Sequence, residues 1–386
     1  MLNMKRILIL LSVFAALCAC SSSRKALTVA PIEDSNPVYA QSGGVVFEQE
    51  SCDIENEGTR KYLEEVDYSS DPDYTVSYAK DYRNDYGAND RPLPVKISWN
   101  EGTAATVTVS TSPQFSDAFE VQAEASPAEI YNLVPGVKYY YKVTDGGGKV
   151  LKTACVTPVG PMRMINGVSG NVRDLGGWKA NGGHIAYGKL YRGAALERIS
   201  TKGKDIFLKD LGISVDLDLR GIKESESRVG PVVEGAEYLK LPVEKNLGRG
   251  TGNTEELYQQ AIRSIIGWLG EGRAVYFHCA GGADRTGSLA FLIEALLGVS
   301  ESDLSKDYEL TTFGRSNTRL RNYRATEEET HILYELVTYL RSFGYPEISS
   351  INELALRWAT TRHSDTVDPL TPEEVYLLRK YLIVND

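Results

Sequence analysis

The sequence predicts an α/β fold, a central sheet flanked by helices, preceded by a small all-β sandwich. Three observations support this prediction. The chain has 386 residues, of which 42% are hydrophobic, and this is long enough for two globular domains. From residue 161 to residue 386, strands alternate with helices. Residues 91–160 instead contain short strands separated by turn-forming residues.

The α/β stretch is predicted from hydrophobic spacing and from the glycines that stop helices. Gly212 ends the first helix, and the strand that follows has its apolar residues on one face. The second helix carries apolar residues at four-residue steps, which is the buried stripe of an amphipathic helix. Gly298 stops the third helix. The predicted order is helix 200–210, strand 213–219, helix 254–269, strand 274–277 and helix 286–297.

Residues 91–160 carry the pattern of a β-sandwich. Alternating segments separated by Gly, Pro, Asn and Asp lie at Val95–Trp99, Thr106–Ser110 and Tyr139–Val143. The run Leu133–Tyr139 resembles the corner of a fibronectin type III module, with Trp99 as the core tryptophan. That resemblance implies a hydrogen bond from the tyrosine hydroxyl back to the backbone.

The first 19 residues are expected to be a signal peptide outside the fold. Lys5 and Arg6 precede an apolar run from Ile7 to Leu17, which is too short to span a bilayer comfortably. The small residue before Cys20 resembles the lipobox of bacterial lipoproteins. This implies a lipid on the Cys20 thiol and an exported, membrane-anchored protein on the periplasmic or cell-surface side. An ordinary cleaved signal with an incidental cysteine is the alternative.

Residues 20–90 are predicted to form an acidic, tyrosine-rich tether that becomes ordered toward its end. From Ser21 to Asp90 there are 15 acidic residues, 6 basic residues and seven tyrosines. A solvated linker draped over the next domain is the first interpretation. A segment that binds a partner or a glycan is the alternative.

Charge and cysteine content exclude two further classes. The chain has 52 acidic and 42 basic residues, a formal charge of −10, which argues against nucleic acid as a partner. Beyond Cys20 only three cysteines remain, without the spacing of metal ligands. Cys52 and Cys155 form either a disulfide bridge or two free thiols. Neither a metal nor an organic cofactor is predicted.

The most informative stretch is HCAGGADRTG, residues 278–287, between a predicted buried strand and a helix N-terminus. Backbone N–H groups and the positive helix end converge there and make an anion cradle. The same field favours a Cys279 thiolate at neutral pH, and Arg285 can donate two hydrogen bonds to a phosphoryl group. Thr286 can donate its hydroxyl to the sulfur when the sulfur leaves. The cradle would be formed by Ala280, Gly281, Gly282, Ala283, Asp284 and Arg285.

These residues resemble the phosphate-binding loop of the protein tyrosine phosphatase superfamily, whose motif is His-Cys, five residues, Arg, then Ser or Thr. Three upstream runs resemble, in order, its bacterial tyrosine-phosphatase-like branch: NVRDLGG from Asn171, GKLYRG from Gly188 and DLR from Asp218. The resemblance covers residues 161–386 and implies hydrolysis through a phosphocysteine intermediate.

Two departures from that branch matter. Ala283 stands where many members carry a lysine, so lipid and highly anionic substrates are less expected. The Trp-Pro-Asp loop that supplies the acid in many tyrosine phosphatases is absent, so another carboxylate has to protonate the leaving group. Asp218, at a strand end in the DLR run, is the first choice, and Asp284 is the second. A purely orienting role is the alternative for Asp284.

The other motif residues are expected to support the loop through hydrogen bonds and ion pairs. Around the loop they are Asn171, Arg173, Asp174 and His278, and substrate binding is the alternative for the first three. Arg192 and Arg220 are expected in ion pairs with Asp174 and Glu224, and phosphate contacts are the alternative for these two arginines.

Three functions are compatible with these motifs. The leading hypothesis is a phosphomonoester phosphatase, of protein tyrosine or dual specificity. The second is an inositol polyphosphate phosphatase, but residues 161–386 contain 28 basic and 31 acidic residues, which argues mildly against the basic rim it would need. The third is a non-catalytic surface lipoprotein that binds phosphate or a partner.

Overall fold

The structure is a computed structural model, and it describes residues 40–42, 45–87, 90–100, 103–225, 228, 230–244, 246–247, 253–314, 318–322, 332–344 and 350–385. The predicted signal peptide and the lipidation site at Cys20 lie outside this range. In the part of the chain that is described, the helices are too short or too polar for any of them to span a bilayer.

The stretch predicted as a tether contains regular structure. It forms β1 (Ala40–Ser42), β2 (Val45–Asp53), α1 (Glu57–Glu65) and α2 (Ala79–Tyr86). Tyr62, Tyr68 and Tyr74 are buried in the main hydrophobic core, together with residues of the α/β part. Composition misleads here because tyrosine rings take the place of aliphatic side chains, whereas acidic residues such as Glu64 and Glu65 are exposed.

Residues 95–159 form the predicted all-β part. Its strands are β3 (Val95–Ile97), β4 (Ala105–Ser110), β5 (Phe119–Ala123), β6 (Ala128–Ile130), β7 (Tyr139–Asp145) and β8 (Val150–Val159). One sheet has the order β1-β2-β8-β7-β4-β5, and β3 pairs with β6 in a second sheet. Trp99 is buried, and the Tyr139 hydroxyl accepts a hydrogen bond from the Val134 N–H at 3.0 Å. The fibronectin type III assignment stays a prediction.

Cys52 and Cys155 are both free thiols. In the parallel pair of β2 and β8, Cys155 lies opposite Gln49, and Cys52 lies opposite Pro158. Three residues of strand therefore separate the two cysteines, about 10 Å, which is beyond the span of a disulfide. The disulfide alternative is wrong.

The α/β part follows, with a five-stranded central sheet of order β14-β13-β15-β12-β9. Its first four strands are parallel, and β9 is antiparallel to β12. The elements are β9 (Arg173–Asp174), β10 (Lys179–Ala180), β11 (Gly183–Ile185), β12 (Leu190–Gly193), α3 (Thr201–Asp205), β13 (Ile213–Arg220), β14 (Glu237–Val243), α4 (Thr254–Gly270), β15 (Ala274–His278), α5 (Asp284–Leu297), α6 (Glu301–Glu309), α7 (Ile332–Arg341), α8 (Ile351–Ala359), α9 (Pro372–Leu382) and β16 (Ile383–Asn385).

β15 shows why the sheet is covered on both faces. Val275 and Phe277 belong to one hydrophobic core, and Ala274 and Tyr276 belong to another. Successive side chains of a strand point to opposite faces, so each face packs against its own core. This mixed α/β architecture is the predicted one, and it places the carboxyl end of β15 at the centre of the sheet edge.

The predicted helix boundaries are close to the observed ones. The Ser200 side chain caps α3 by accepting from the Gly203 N–H, and the helix continues as a wider turn over Ile206–Asp210. Gly212 and Gly298 follow their helices with φ of +66° and +87°, the left-handed conformation that glycine adopts readily. α5 begins at Asp284, two residues before the predicted start.

Candidate active site

The candidate nucleophile and arginine lie on the loop that connects β15 with α5. β15 ends beside Cys279, and the positive end of α5 begins at Asp284. Gly282 has a φ of +66°, and a Cβ at this position would lie 2.3 Å from the carbonyl carbon of Gly193. Glycine is therefore required where the loop passes over the end of β12.

The carbonyl groups of four consecutive loop residues are held from behind. The Ala195 N–H donates to the Ala280 carbonyl at 3.1 Å. Asn171 Nδ2 donates to the Gly281 carbonyl at 3.2 Å and to the Gly282 carbonyl at 3.0 Å. Arg192 Nη2 donates to the Gly282 carbonyl at 3.1 Å and to the Ala283 carbonyl at 3.4 Å. In a trans peptide, the N–H of the following residue points away from the carbonyl. The N–H groups of residues 281–284 are therefore directed to the opposite side, where they can bind an anion.

Cys279 is buried at the base of this loop, with 3% of its surface exposed. Burial would raise the pKa of its thiol, but the Thr286 hydroxyl and the positive charge of Arg285 outweigh burial and lower the pKa below its usual value. The Thr286 hydroxyl is itself buried and has no hydrogen-bonding oxygen or nitrogen among the described residues. It is thus available to stabilise a thiolate.

Arg285 is held in one orientation by Glu224. Nη1 and Nη2 both donate to the Glu224 carboxylate, the latter at 2.8 Å, and Nη1 also donates to the Val243 carbonyl at 3.3 Å. A guanidinium has five N–H donors, so these contacts leave the Nε–H and one Nη2–H. Those two lie on one edge of the guanidinium and form the fork that binds two phosphoryl oxygens.

A buried network lies beneath the loop. Asn171 Oδ1 accepts from Arg173 Nη1 at 2.8 Å, and Arg173 Nε donates to Asp307 Oδ1 at 2.8 Å. Arg192 also donates to Asp307. Burial would raise the pKa of the Asp307 carboxyl, but the two guanidinium groups outweigh burial and lower it. The structure thus brings Asn171 and Arg173 together beneath the loop carbonyls.

Asp174 lies outside this network. Its carboxylate accepts from Arg163 Nη1 at 3.1 Å and from the Gly176 and Gly188 N–H groups at 2.9 and 2.8 Å. Burial raises the pKa of Asp174, although Arg163 opposes this. Asp174 therefore fixes the turn after β9 and does not touch the loop.

The expected ion-pair partners of two arginines are also wrong. Arg192 pairs with Asp307 and not with Asp174, and Arg220 pairs with Asp218 and Glu197 and not with Glu224. Glu224 is left to Arg285.

Asp218, the first-choice acid, is held in a buried ion pair with Arg220. It is fully buried, and its oxygens accept from Arg220 Nε at 2.9 Å, Arg220 Nη2 at 2.8 Å and the Tyr238 hydroxyl at 3.0 Å. Burial would raise the pKa, but the Arg220 hydrogen bonds and the charge of His278 lower it to about 2. Both oxygens of Asp218 are bonded to Arg220, so the structure does not favour Asp218 as the proton donor, and its role as the acid stays a prediction. The DLR run places a carboxylate at the sheet edge, but its own arginine folds back onto it.

Asp284 is the carboxylate that remains in the loop. Its side chain is 22% exposed and accepts from Arg319 Nη2 at 2.7 Å and from the Tyr308 hydroxyl at 3.2 Å. Its position on the first turn of α5, next to Arg285, keeps it at the anion cradle. These two donors also fix the orientation of the carboxyl group.

His278 is fully buried and lies behind Cys279. Its Nε2 is 3.0 Å from Asp216 Oδ1, and its Nδ1 is 3.0 Å from the Cys279 carbonyl oxygen. Burial alone would lower the pKa of His278, but Asp216 outweighs burial and raises it. Arg228, which also donates to Asp216, closes this charged cluster. Both ring nitrogens of His278 are therefore occupied, and the side chain holds the loop backbone at Cys279 instead of acting as a base.

Sequence reasoning missed three roles. Glu224 lies four residues after the DLR run, and this spacing was the available signal for an Arg285 anchor. Asp307 and Tyr308 form a pair that also resembles the bacterial branch, but the pair does not show that Asp307 binds Arg173 and Arg192. Arg319, the partner of Asp284, lies 35 positions away in a stretch with no motif, so its role is visible only in the structure.

Among the described residues, no group of three or more His, Cys, Asp and Glu side chains is placed to hold a metal ion. The expectation of a cofactor-free site stays a prediction.

A cysteine of lowered pKa and an arginine, on one loop between a central parallel strand and a helix, define the class of cysteine-dependent phosphatases. Residues 165–357 match the tyrosine phosphatase family, and the chain belongs to that family.

A protein of Cupriavidus necator that is provisionally named a tyrosine-protein phosphatase is 30% identical over 168 residues. The match covers 36% of this chain and 59% of that protein, so it spans less than two thirds of the relative.

Two solved structures are similar at a lower level. Pseudomonas aeruginosa TpbA is 16% identical with a TM-score of 0.30, covering 46% of this chain and 91% of that one. The phosphatase PTPMT1, solved in complex with PI(5)P, is 14% identical with a TM-score of 0.29, covering 44% of this chain and 94% of that one. Likenesses at this level add nothing to the family assignment.

Proposed function

We propose that the chain hydrolyses phosphomonoesters of phosphotyrosine or dual-specificity type through a phosphocysteine intermediate. One observation carries the proposal: a Cys279 thiol of lowered pKa and the Arg285 fork share a loop whose carbonyls are bonded from behind. A dianionic phosphate in this loop would meet N–H donors, a guanidinium and a nucleophile at once.

In the first step, the Cys279 sulfur attacks phosphorus in line with the leaving oxygen, and the phosphorus–oxygen bond breaks. Arg285 and the loop N–H groups bind the equatorial oxygens. We assign the proton donor to Asp284, because its side chain is partly exposed and lies on the same loop as Cys279 and Arg285, whereas Asp218 is fully buried and bonded to Arg220. The leaving alcohol or phenol departs protonated.

In the second step, water attacks the phosphocysteine, and the phosphorus–sulfur bond breaks. Asp284, now a carboxylate, takes the proton from water. The Thr286 hydroxyl stabilises the departing thiolate, and inorganic phosphate is released.

The preference for an aryl phosphate is proposed from the tyrosine phosphatase family that residues 165–357 match. An inositol polyphosphate substrate is an outcome that the following test can return.

The test is phosphate release by the purified chain without its signal segment, with no added metal. The substrates are a phosphotyrosine peptide, a phosphoserine peptide, inositol hexakisphosphate and an aryl phosphate. We expect hydrolysis of the phosphotyrosine peptide and the aryl phosphate, inhibition by vanadate, and no activity in Cys279→Ser. Preference for inositol hexakisphosphate would change the substrate class. Full activity in Cys279→Ser would exclude the covalent mechanism.

We also propose that Cys20 carries a lipid anchor on an exported protein, on the strength of the apolar run and the small residue before it. Labelling of expressing bacteria with a tagged fatty acid should mark the chain. Cys20→Ala should abolish the label, and a label that persists would contradict the proposal.

A fibronectin type III-like character of residues 91–160 is proposed on the Tyr139 to Val134 hydrogen bond and the buried Trp99. Tyr139→Phe removes only the hydroxyl, and we expect it to lower the free energy of unfolding by about 1 kcal/mol. An unchanged value in urea unfolding would contradict a corner role.

A further inference from the structure

A tyrosine-rich stretch of the chain, residues 55–87 and here called the N-terminal clamp, packs against α6 and against residues 318–322. The Tyr68 N–H donates to Ser302 Oγ at 2.9 Å, and Lys306 Nζ donates to the Leu63 carbonyl at 3.1 Å. The Tyr74 hydroxyl donates to Glu301 Oε1 at 2.9 Å. The clamp is thus bonded to the α/β part along its length, and the catalytic chemistry described above does not use it.

Arg321 is the centre of this contact. Its side chain is 1% exposed, and its guanidinium carbon lies 4.0 Å from the Tyr68 ring centre and 4.1 Å from the Tyr74 ring centre. Nη1 donates to Asp71 Oδ2, and Nη2 donates to the Asp71 carbonyl, both at 3.0 Å. A buried cation between two rings and bonded to a carboxylate is strongly held.

Glu309 binds both Tyr68 of the clamp and the backbone of Arg321. Its buried carboxylate accepts from the Tyr62 and Tyr68 hydroxyls, both at 2.6 Å, and from the Arg321 N–H, also at 2.6 Å. The backbone and the side chain of Arg321 are therefore both fixed by groups that the clamp supplies or shares.

Arg319 lies two residues before Arg321 and reaches the active site. Its N–H donates to Thr312 Oγ1 at 2.8 Å, and its Nη2 donates to Asp284 Oδ2 at 2.7 Å. The backbone of Arg319 is thus held on two sides, by the Thr312 hydroxyl and, two residues further on, by the contacts of Arg321 with the clamp. A continuous chain of contacts thus leads from Tyr68 and Tyr74 to the loop carboxylate.

We propose that Arg321 is a positioning residue for the phosphatase reaction: held by the N-terminal clamp, it fixes Arg319, and Arg319 holds Asp284 in the orientation for proton transfer. This inference rests on the proposed function, in which Asp284 protonates the leaving group. The clamp then contributes to catalysis by holding Arg321 in place. It also names a stretch outside the family match, residues 55–87, as a determinant of catalysis.

The experiment uses the chain with its clamp intact and compares Arg321→Met with Arg341→Met. Arg341 also bonds to the clamp, at the Pro72 carbonyl, and pairs with Glu301 of α6, but it is not on the segment that carries Arg319. For Arg321→Met we expect kcat to fall about ten-fold more on an alkyl phosphate than on an activated aryl phosphate, with KM unchanged. Arg341→Met should not show this larger loss of kcat on the alkyl phosphate. In a protein that already carries Asp284→Asn, adding Arg321→Met should not increase the difference between the two substrates further. Equal losses on both substrates would overturn the proposal.

Hydrogen exchange supplies a readout that needs no activity. Arg321→Met should speed exchange of the amides of residues 279–285, whereas Arg341→Met should leave them as in the wild type. Unchanged exchange there in Arg321→Met would overturn the proposal. If Arg321→Met does not fold, Arg321→Lys keeps the charge without the planar fork and takes its place in both measurements. If the wild type showed no hydrolysis that depends on Cys279, the proposed function would be refuted. Hydrogen exchange of residues 279–285 would still decide whether Arg321 positions the loop.

Discussion

Both terminal nitrogens of Arg285 donate to the carboxylate of Glu224. This pairing turns the guanidinium before any substrate arrives, so the Nε–H and the remaining Nη2–H are left to bind phosphate. The fork is then prearranged, and little orientational entropy has to be lost in the transition state.

Glu224→Gln should therefore lower kcat/KM for an aryl phosphate by about ten- to a hundred-fold, because an amide N–H would face one of the guanidinium donors. Glu237→Gln is the matched control, since Glu237 pairs with Arg273 at the first residue of β14, whereas Arg285 contacts Val243 at the last residue of this strand. Its kcat/KM should stay near that of the wild type. An unaltered kcat/KM in Glu224→Gln would show that Arg285 needs no anchor.

Asp218→Asn should destabilise the fold, and the effect should depend on pH. The pKa of Asp218 is lowered from 3.8 to about 2, so the ionised carboxylate stabilises the folded chain above about pH 4. This contribution, about 2 kcal/mol, is lost as the pH falls from 4 toward 2. Urea unfolding at pH 7 and pH 3 should show a smaller difference between wild type and variant at pH 3. A loss of activity restricted to poor leaving groups, at full stability, would restore Asp218 as the acid.

The contrast between Asp218 and Cys279 shows what could be predicted from sequence. The loop, its flanking strand and helix, and the arginine six positions after Cys279 follow from local spacing, because each is a short-range pattern. The state of Asp218 depends on Arg220 and Tyr238, and the latter lies on a neighbouring strand. Side-chain partners across strands leave no mark in the local pattern.

The clamp shows a second limit. Tyr62 and Tyr68 lie more than 200 positions from the Glu309 carboxylate that they bind, and their surroundings in the sequence are acidic and aperiodic. Local composition predicts a linker, whereas long-range packing makes this stretch part of the core.

Asp284→Asn should show whether the Asp284 carboxyl group donates a proton to the leaving group or only orients the loop. With an alkyl phosphate, whose alkoxide is a poor leaving group, we expect a loss of about a hundred-fold or more in kcat, and with an activated aryl phosphate about ten-fold or less. Steady-state kinetics on both substrates, at equal enzyme stability, provides the measurement. Equal losses on the two substrates would assign Asp284 to orientation alone.

Thr286→Ala should raise the pKa of the Cys279 thiol. The Thr286 hydroxyl is the largest of the influences that lower this pKa against burial, and removing it leaves Arg285 and the backbone to act alone. The rate of Cys279 alkylation by iodoacetamide rises with pH as the thiolate forms, so its midpoint should move to higher pH in the variant. Thr108→Ala is the control, because it removes one buried hydroxyl from β4, in the all-β part of the chain. A midpoint that does not move would show that Arg285 and the loop N–H groups suffice.

Asn171 combines a backbone requirement with a side-chain one, and two variants can separate them. Its φ is +55°, and its amide donates to the Gly281 and Gly282 carbonyls. Asn171→Gly accepts this φ but lacks the amide, whereas Asn171→Ala lacks both, so Ala should be less stable than Gly by about 1 kcal/mol. Both variants should lose affinity for vanadate to the same extent. Without the Asn171 amide, the Gly281 and Gly282 carbonyls lose a hydrogen bond that fixes the loop backbone, so the loop N–H groups are no longer directed toward the anion. Urea unfolding measures the effect on stability, and vanadate inhibition measures the effect on anion binding. If Asn171→Gly bound vanadate as tightly as the wild type does, the loop would keep its shape without the Asn171 amide.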